Sequence, residues 1–403
     1  MINGALSNIV ILDLSRILAG PYATMMLGDL GARVLKIEQP GQGDDTRRWG
    51  PPFTANGESA YFLCINRNKE SMTLNLKTAE GRAILRDLVL HADVLVENFM
   101  VGAMDEFGLG YSSLREVNPA LIYCSITGYG QTGPYAHRPG YDIAIEAEAG
   151  IMSITGPADS TTESGEPFKV GVAIVDITAG MNAVMAILAA LHHRTRTGQG
   201  QQIDIALFDT QLAWLANVAS SYLLSGEPPK RYGNAHAAIV PYQTMPTTDG
   251  WMMLAVGNDR QFARLCSVID QPAWASDERF ATNPARVAHR AILVPALEAI
   301  FRTRPKAEWH AALTAVAVPC SPVNDIPTVL ADPHTAARQM VQSVIHPVTG
   351  TIPLIGPAPK LSATPATIRS APPLLGEHTE EILTSILSYT NKEIMDLRAK
   401  GVI

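Results

Sequence analysis

A single carboxylate, that of Asp176, lies between two apolar segments of this 403-residue chain. Residues 172–175 precede it and are expected to be extended, and a helical pattern follows at 178–193. Burial of an acid is costly unless it is hydrogen-bonded or does chemistry. Two compatible interpretations stay open: Asp176 is the N-cap of the helix, or it is a nucleophile that the helix dipole keeps ionised.

Further polar side chains directly follow two predicted strands. Asn98 comes after residues 93–97, and Thr127 and Tyr129 come after residues 121–126. Ligands of open parallel sheets bind beyond the carboxyl ends of the strands. We therefore expect these residues to border a ligand site, together with Asp176 if residues 172–175 form a strand.

Basic residues occur in two segments that suit an anionic ligand. The loop at 41–52 combines glycine and proline with arginines, and it either shapes a surface for an anion or is simply solvated. Arg67 and Lys69 stand around an asparagine ahead of a strand predicted at 72–76. They either hold a phosphate by charge and hydrogen bonds or form an ordinary polar turn.

The elements that carry these residues begin with a βαβ unit. A strand at 9–12, a helix at 22–30 and a strand at 34–38 follow one another, and strands continue to alternate with helices. This order predicts a Rossmann-like α/β fold, with a mostly parallel sheet covered by helices on both faces. The first turn lacks the G-x-G-x-x-G pattern that brings backbone close to a pyrophosphate, so NAD is not expected.

The length of the chain and a change of pattern after residue 208 favour two domains. We assign residues 1–225 to a large Rossmann-like domain and 226–324 to a smaller α/β domain. In the smaller one, His236 lies in a loop and is either a site residue or a surface histidine. Arg286 and Arg290 are spaced i, i+4 on one predicted helix, which is typical of a solvated face.

Composition excludes several classes of partner. The net charge of −7 and the lack of a basic run argue against nucleic acid and an anionic membrane. The four cysteines form no C-x-x-C pair, which suits a reducing compartment and offers no metal site.

The longest apolar helix, predicted at 181–191, is too short to span a bilayer, and no signal-peptide pattern precedes the first strand. We expect a cytoplasmic protein, or one of an organelle matrix such as the mitochondrial matrix.

Taken together, the motifs resemble the family III CoA-transferases of the CaiB/BaiF type, whose fold the α-methylacyl-CoA racemases share. The resemblance runs almost from end to end. It rests on LSRILAGP at 14–21, KIE at 36–38, NRNK at 66–69, ENF at 97–99, TGYG at 127–130, Asp176 with its helix, TGQGQ at 197–201 and PLLGEHT at 373–379. The order and spacing of these segments together are highly specific.

The resemblance implies an interlocked homodimer of two threaded rings. Each chain would have a large Rossmann-like domain built from both termini, so residues 325–403 are expected to return to the large domain. Asp176 matches the nucleophilic aspartate, which lies at the thiol end of CoA. The residues that fall where the family contacts CoA are Arg16, Arg67, Lys69, Asn98 and Phe99, and Tyr129 falls near the reacting acyl group.

The implied chemistry is transfer of CoA from an acyl-CoA thioester to a carboxylic acid. Asp176 attacks the thioester to give a mixed anhydride and CoA thiolate, and the thiolate then gives an enzyme–CoA thioester. The acceptor acid repeats these steps in reverse. CoA takes part as a co-substrate, and no other cofactor and no metal is expected.

Two departures from related enzymes narrow the activity. The racemases have a histidine at the position of Tyr141, and tyrosine is a poor base at neutral pH. This favours transfer over the alternative of 2-methylacyl-CoA racemisation. Formyl-CoA transferases carry a glutamine at the position of Leu18 and a glycine-run loop in the small domain, and the lack of both argues against oxalate as acceptor.

Within the family, the chain most resembles dicarboxylate transferases of the succinyl-CoA:glutarate type. The similarity rests on DDTRRWGPP at 44–52, ITGYGQTGP at 126–134 and AHAAIVPYQ at 235–243. The far carboxylate of a dicarboxylate needs a cation, for which Arg67 and Arg286 are candidates, although either can instead hold a CoA phosphate or form a structural ion pair. His236 and Tyr129 complete the candidate substrate residues.

Overall fold

Six parallel strands form the sheet that positions the site. They are β1 (Val10–Asp13), β2 (Arg33–Glu38), β3 (Lys69–Thr73), β4 (Val94–Glu97), β5 (Ile122–Thr127) and β6 (Gln202–Ala206). In the computed structural model, which describes residues 4–159 and 165–403, the strand order is β3-β2-β1-β4-β5-β6 and every pairing is parallel. The predicted α/β fold with a parallel sheet is confirmed. The direction of the strand order changes between β1 and β4, which is where ligands bind in such sheets.

Helices connect these strands and build much of the rest of the chain. They are α1 (Ala19–Asp29), α2 (Ala60–Ile65), α3 (Ala79–Val89), α4 (Ala103–Glu106), α5 (Tyr111–Val117), α6 (Asp142–Glu148), α7 (Ile151–Ile154), α8 (Ile174–Thr197), α9 (Leu207–Trp214), α10 (Ala216–Ser225), α11 (Asp259–Val268), α12 (Asn283–Ala288), α13 (Arg290–Phe301), α14 (Lys306–Ala315), α15 (Ile326–Leu330), α16 (Pro333–Ala337), α17 (Thr379–Leu387) and α18 (Asn391–Ala399). Two short 3-10 helices span Asp45–Arg48 and Pro272–Ala275.

The remaining strands form two antiparallel sheets. One contains β7 (Tyr242–Thr247), β8 (Gly250–Ala255) and β9 (Cys320–Pro322), and the other is the hairpin of β10 (Val341–His346) and β11 (Gly350–Ile355).

The central strands are apolar along their length because helices cover both faces of the sheet. Ile11 belongs to the buried cluster on the face of α1 and α8, and its neighbour Leu12 belongs to the cluster on the face of α3 and α17. Side chains alternate between the two faces along a strand, so both positions must be apolar. This is why the strands could be recognised as apolar runs.

The 24-residue helix α8 begins earlier than predicted, at Ile174. The extended segment expected at 172–175 is therefore wrong in its second half, although valine and isoleucine favour strands. Gly180 lets α8 approach α1 closely, because a Cβ atom there would lie 2.6 Å from the carbonyl oxygen of Ala19. The start of α8 consequently lies beside the start of α1, just beyond β1.

By length and composition, α8 is long and apolar enough to cross a membrane, which corrects the prediction of a short apolar helix at 181–191. Half of the most apolar 18-residue stretch of this helix is buried inside the protein. Its buried side chains include Val175, Ala179, Ala183 and Ile187, which pack in the core beside the sheet. The core helix of a globular protein meets the same criterion, so this finding assigns no membrane.

The chain divides into two compact units. The first comprises Met1–Ile151, Val170–Ser220 and Pro333–Ile403, and the second comprises Met152–Lys169 and Ser221–Asp332. The second unit is thus larger than the stretch 226–324 assigned from the sequence, because it also takes in a segment that precedes α8 and extends from Ser221 to Asp332. The chain returns to the first unit at Pro333, later than the predicted residue 325. Its core is a cluster of buried side chains that includes Phe262, Leu297 and Trp309.

Candidate active site

A cavity of about 360 Å³ in the first unit lies beyond the carboxyl ends of β1, β4 and β5. Its lining consists of residues 16–19, 98–101, 126–128 and 138–142, together with Ala103, Ala136, Asp176 and Leu207. Among the predicted site residues, this cavity brings together Asp176, Arg16, Asn98 and Phe99. We refer to it as the Asp176 cavity.

Asp176 is the third residue of α8 and belongs to its first turn. The N-cap residue is Ala173, whose side chain cannot accept a hydrogen bond. The cap comes instead from Asp142 in α6, whose Oδ1 atom accepts the backbone N–H groups of Val175 at 2.8 Å and of Asp176 at 3.2 Å. The prediction that Asp176 is the N-cap is therefore wrong, because a carboxylate from another helix occupies the positive end of α8.

The carboxylate of Asp176 accepts no hydrogen bond from the part of the chain that the structure describes, residues 4–159 and 165–403. Burial raises the pKa of Asp176 to about 7, and the negative charge of Asp142 adds to the effect. The helix dipole thus does not hold the pKa of this group at its ordinary low value. Once ionised, a carboxylate of raised pKa is more basic, and therefore a stronger nucleophile, than an ordinary aspartate.

Asn98 fixes the loop that leads from β1 into the cavity. Its Oδ1 atom accepts the backbone N–H of Arg16 at 2.9 Å, and its Nδ2 atom donates to the carbonyl of Arg16 at 2.8 Å. The exposed guanidinium of Arg16 forms an ion pair with Asp45 at 3.1 Å and lies 5.9 Å from the ring centroid of Phe99. Three of the residues predicted to contact CoA thus form one cluster at the point where the strand order reverses.

A second cavity, of about 280 Å³, shares Arg16 and Phe99 with the Asp176 cavity. Its remaining lining combines apolar with polar and charged residues and consists of Leu14, Ile37, Glu38, Gln39, Gly43, Asp44, Leu74, Asn75, Leu76, Lys77 and Phe107. The carboxylate of Glu38 accepts Arg47 Nη2 at 2.7 Å and Ser71 Oγ at 2.6 Å. An acid at this position binds a ribose in NAD-dependent folds, but here internal partners already occupy it. We refer to this space as the Arg16 cavity.

Arg67 and Lys69 line neither cavity. The guanidinium of Arg67 donates to Asp29 at 2.9 and 2.7 Å and to a backbone carbonyl at 2.8 Å. The ammonium of Lys69 donates to Asp13 at 3.0 Å and to two further oxygens at 2.9 Å. Both side chains are buried and their donors are engaged. Of the alternatives left open for Arg67, the structural ion pair describes it, and Lys69 forms a comparable buried pair with Asp13 that the sequence did not predict.

Tyr129 lies next to the Asp176 cavity without lining it. Its hydroxyl donates to Glu148 at 2.7 Å, and its ring meets the ring of Tyr135 edge-on, with centroids 5.6 Å apart. Arg138 does line the cavity. Its guanidinium stacks on Tyr135, 3.8 Å from the centroid of that ring.

The two remaining predicted residues belong to the second unit. His236 is exposed, and its Nδ1 atom accepts the backbone N–H of Ala238 at 3.1 Å. Arg286 is fully buried and donates to Asp259 at 2.8 Å and to two backbone carbonyls. The prediction that Arg286 lies on a solvated helix face is wrong. The helix expected at 284–301 is divided into α12 and α13, so Arg286 and Arg290 belong to different helices.

Sequence reasoning missed Asp142 and Arg138, which line the Asp176 cavity, and Tyr61, which does not line it but is close enough to feel the charge of Asp176. Asp142 directly follows Tyr141, and the only signal recognised in this segment was the tyrosine at a position where racemases have a histidine. Arg138 stands in an irregular loop with no periodic signal. Burial raises the pKa of Tyr61 to about 12, with the charge of Asp176 adding to it, so this phenol stays protonated and able to donate.

Comparisons with known proteins find similarity over nearly the whole chain. A family model described as CoA-transferase family III matches residues 6–379. A succinyl-CoA:glutarate CoA-transferase from Mus musculus is 44% identical over 398 residues, which cover 99% of this chain and 90% of that protein. A succinate–glutarate CoA-transferase from Agrobacterium fabrum is 47% identical over 386 residues, covering 94% and 95%. The crystal structure of a CAIB/BAIF family protein from Brucella suis superposes with a TM-score of 0.86 at 46% identity, covering 95% of this chain and 100% of that one.

Proposed function

This chain belongs to CoA-transferase family III and is an enzyme of that class, and we propose that it moves CoA from succinyl-CoA, or a similar acyl-CoA, to a dicarboxylic acid such as glutarate. The observation that carries the proposal is the carboxylate of Asp176, which lines the Asp176 cavity without a hydrogen-bond partner among the described residues. The substrate class rests on relatives that are named for succinyl-CoA, succinate and glutarate.

CoA would extend across both cavities. The Arg16 cavity offers apolar walls for the adenine ring, with Lys77 and Arg16 near the phosphates. The Asp176 cavity would take the pantetheine arm and the thioester. Because Arg16 and Phe99 line both spaces, a long ligand can lie over them with one end in each cavity.

The transfer would proceed through covalent intermediates on Asp176. The carboxylate attacks the thioester carbonyl, so a C–O bond forms, the C–S bond breaks, and CoA leaves as a thiolate. The thiolate attacks the aspartyl carbonyl of the anhydride, which releases succinate and leaves an enzyme–CoA thioester. The acceptor carboxylate attacks this thioester, and the released thiolate then attacks the acceptor acyl carbon. This frees Asp176 and the new acyl-CoA without net proton uptake.

Each tetrahedral intermediate carries a negative oxygen that needs donors. The start of α1 supports such a role: its N-cap, Leu18, has no side-chain capping bond, and Leu18 and Ala19 line the cavity. The free backbone N–H groups and the positive end of this helix stabilise developing negative charge. The phenol of Tyr61 is a further candidate donor, because it stays protonated beside Asp176.

The racemase alternative is not favoured, since the relatives are named as CoA-transferases and Tyr141 stands where a racemase has its histidine. CoA remains the only co-substrate in the proposal, with no metal and no redox cofactor. None of the described steps requires one.

We also propose that the active form is a homodimer with interlocked chains. The outer face of α8 exposes Met181, Met185 and Leu188, and the neighbouring α9 exposes Leu212 and Trp214. Exposed apolar side chains on two neighbouring helices suit association with a partner. Light scattering of the purified protein tests the stoichiometry.

A mass-spectrometric exchange screen tests the proposed function. The protein is mixed with succinyl-CoA and, in turn, with glutarate, malate, mesaconate, itaconate, oxalate and carnitine. We expect a new acyl-CoA with glutarate and none in Asp176→Ala, while Asp396→Asn, an exposed carboxylate on α18, keeps the wild-type rate. Exchange that persists in Asp176→Ala would refute the mechanism, and failure with every dicarboxylate would refute the substrate class.

A further inference from the structure

Among the described residues that line the Asp176 cavity, the basic ones are Arg16 and Arg138. Arg16 is paired with Asp45 and belongs equally to the Arg16 cavity. The guanidinium of Arg138 has neither an ion pair nor a hydrogen bond to any residue in the ranges 4–159 and 165–403. A cation that lines the same cavity as Asp176 thus lacks an anionic partner in the described part of the chain.

The two arginines that the sequence offered for a far carboxylate are not available for that role. Arg67 is buried against Asp29, and Arg286 is buried against Asp259 in the second unit. Releasing Arg67 would leave the buried Asp29 without its partner, which is strongly unfavourable. Arg286 is fully buried and also donates to two backbone carbonyls, so its donors are engaged as well. The cavity therefore has one free guanidinium among its described residues, and that group is at Arg138.

Arg138 rests on a fixed aromatic platform. Its guanidinium lies 3.8 Å from the ring centroid of Tyr135, and Tyr129 meets Tyr135 edge-on. Tyr129 is in turn held by its hydroxyl, which donates to Glu148 at 2.7 Å. Stacking uses the flat face of a guanidinium and leaves the N–H groups at its edge free to donate.

We infer that Arg138 binds the far carboxylate of the dicarboxylic substrate while the reacting carboxyl group lies at Asp176. This inference rests on the proposed function and names the residue that recognises the substrate class. Paired N–H donors of arginine match the two oxygens of a carboxylate. Succinyl-CoA and glutarate both carry a far carboxylate, and each occupies the acyl site in a separate half-reaction, so one arginine serves both.

The inference assigns a role to the platform as well. Tyr129, Tyr135 and Glu148 act as positioning residues that hold Arg138 in place. In this account Tyr129 influences the reaction through Arg138 and does not itself contact the acyl group. Tyr129→Phe, which keeps the ring but loses the bond to Glu148, should therefore change the glutarate KM in the same direction as an Arg138 variant, by a smaller factor.

The test compares two acceptors that differ at the far end only, glutarate and monomethyl glutarate. Wild type should exchange both from succinyl-CoA and prefer glutarate by 10-fold or more in kcat/KM. In Arg138→Gln, kcat/KM for glutarate should fall by about 10- to 100-fold, and the preference should shrink to within about threefold. Arg138→Lys should lie between, because it keeps the charge and loses the paired donors. Arg115→Gln, an exposed arginine on α5, should match wild type.

Other outcomes separate the two levels of the proposal. If wild type exchanges CoA and Arg138→Gln loses the same factor with both acceptors, the inference is overturned and the proposed function stands. A raised inhibition constant for free CoA in Arg138→Gln, with the acceptor preference intact, assigns Arg138 to a CoA phosphate and also overturns the inference. If wild type exchanges neither acid, the proposed function fails and the inference fails with it.

Discussion

The Oδ1 atom of Asp142 accepts the backbone N–H of Asp176 at 3.2 Å, so one carboxylate of the cavity holds the backbone that carries the other. The same oxygen accepts the N–H of Val175 at 2.8 Å. Asp142 therefore has two opposing effects. It fixes the start of α8 by capping it, and its charge disfavours ionisation of Asp176.

Asp142→Asn should separate these effects, because asparagine keeps an oxygen that can cap while it loses the charge. The pKa of Asp176 should fall below about 7 but stay above its ordinary value, since burial is the larger cause of the shift. The acid limb of the kcat/KM profile should consequently move to lower pH. Asp396→Asn should leave the limb in place, and an unmoved limb in Asp142→Asn would contradict the coupling between the two acids.

Asp176→Asn should stabilise the protein in alkaline solution. The pKa of Asp176 is raised in the folded state, so the folded state binds this proton more tightly than the unfolded chain does. Wild type then loses stability as the pH rises from the ordinary aspartate pKa through about 7.

Asparagine does not ionise and avoids this loss. The free energy of unfolding of Asp176→Asn should exceed that of wild type by about 4 kcal/mol at pH 8, with a smaller difference at pH 5. Urea unfolding at the two pH values measures it. A variant that is less stable than wild type at pH 8 would show that the ionised carboxylate is stabilised by the fold.

Arg67→Gln should lower stability while leaving CoA affinity almost unchanged. The guanidinium of Arg67 is buried against Asp29, so its removal leaves a buried acid without a counter-charge and should cost about 3–5 kcal/mol. Restoring neutrality with Asp29→Asn in the same chain should recover part of the loss. A large rise in KM for succinyl-CoA at unchanged stability would instead make Arg67 a ligand of CoA.

Gly180→Ala should weaken the crossing of α1 and α8. The added Cβ atom would lie 2.6 Å from the backbone oxygen of Ala19, which cannot move without shifting α1. We expect a loss of about 1–3 kcal/mol, with reduced exchange because both helix starts border the cavity. Gly171→Ala is the matched control, since an added Cβ atom there meets nothing within 4 Å. Equal stability of the two variants would argue against close helix contact.

The sheet could be predicted from the sequence because its signals are local. Apolar runs mark the strands, and the alternation with helical patterns predicts parallel pairing. Asp176 and the cluster of Arg16, Asn98 and Phe99 were found in the same way, from polar residues beside strand and helix ends and from family motifs.

The partners of individual side chains could not be predicted, because they come from distant parts of the chain. Asp142 caps α8 although it lies 34 residues before Asp176 in the sequence. Arg67 meets an acid 38 residues away. No periodic pattern in the sequence predicts contacts between residues so far apart. Arg67 was therefore interpreted as a ligand-binding residue, and Arg138 was not.

Intact-mass analysis of the protein after incubation with succinyl-CoA tests the central claim most directly. The account predicts a covalent CoA thioester on the peptide that carries Asp176, which disappears on addition of glutarate as glutaryl-CoA forms. Asp176→Ala should bind CoA and form no adduct. Exchange at the wild-type rate without an adduct at Asp176, or an adduct at another residue that glutarate discharges, would contradict the account.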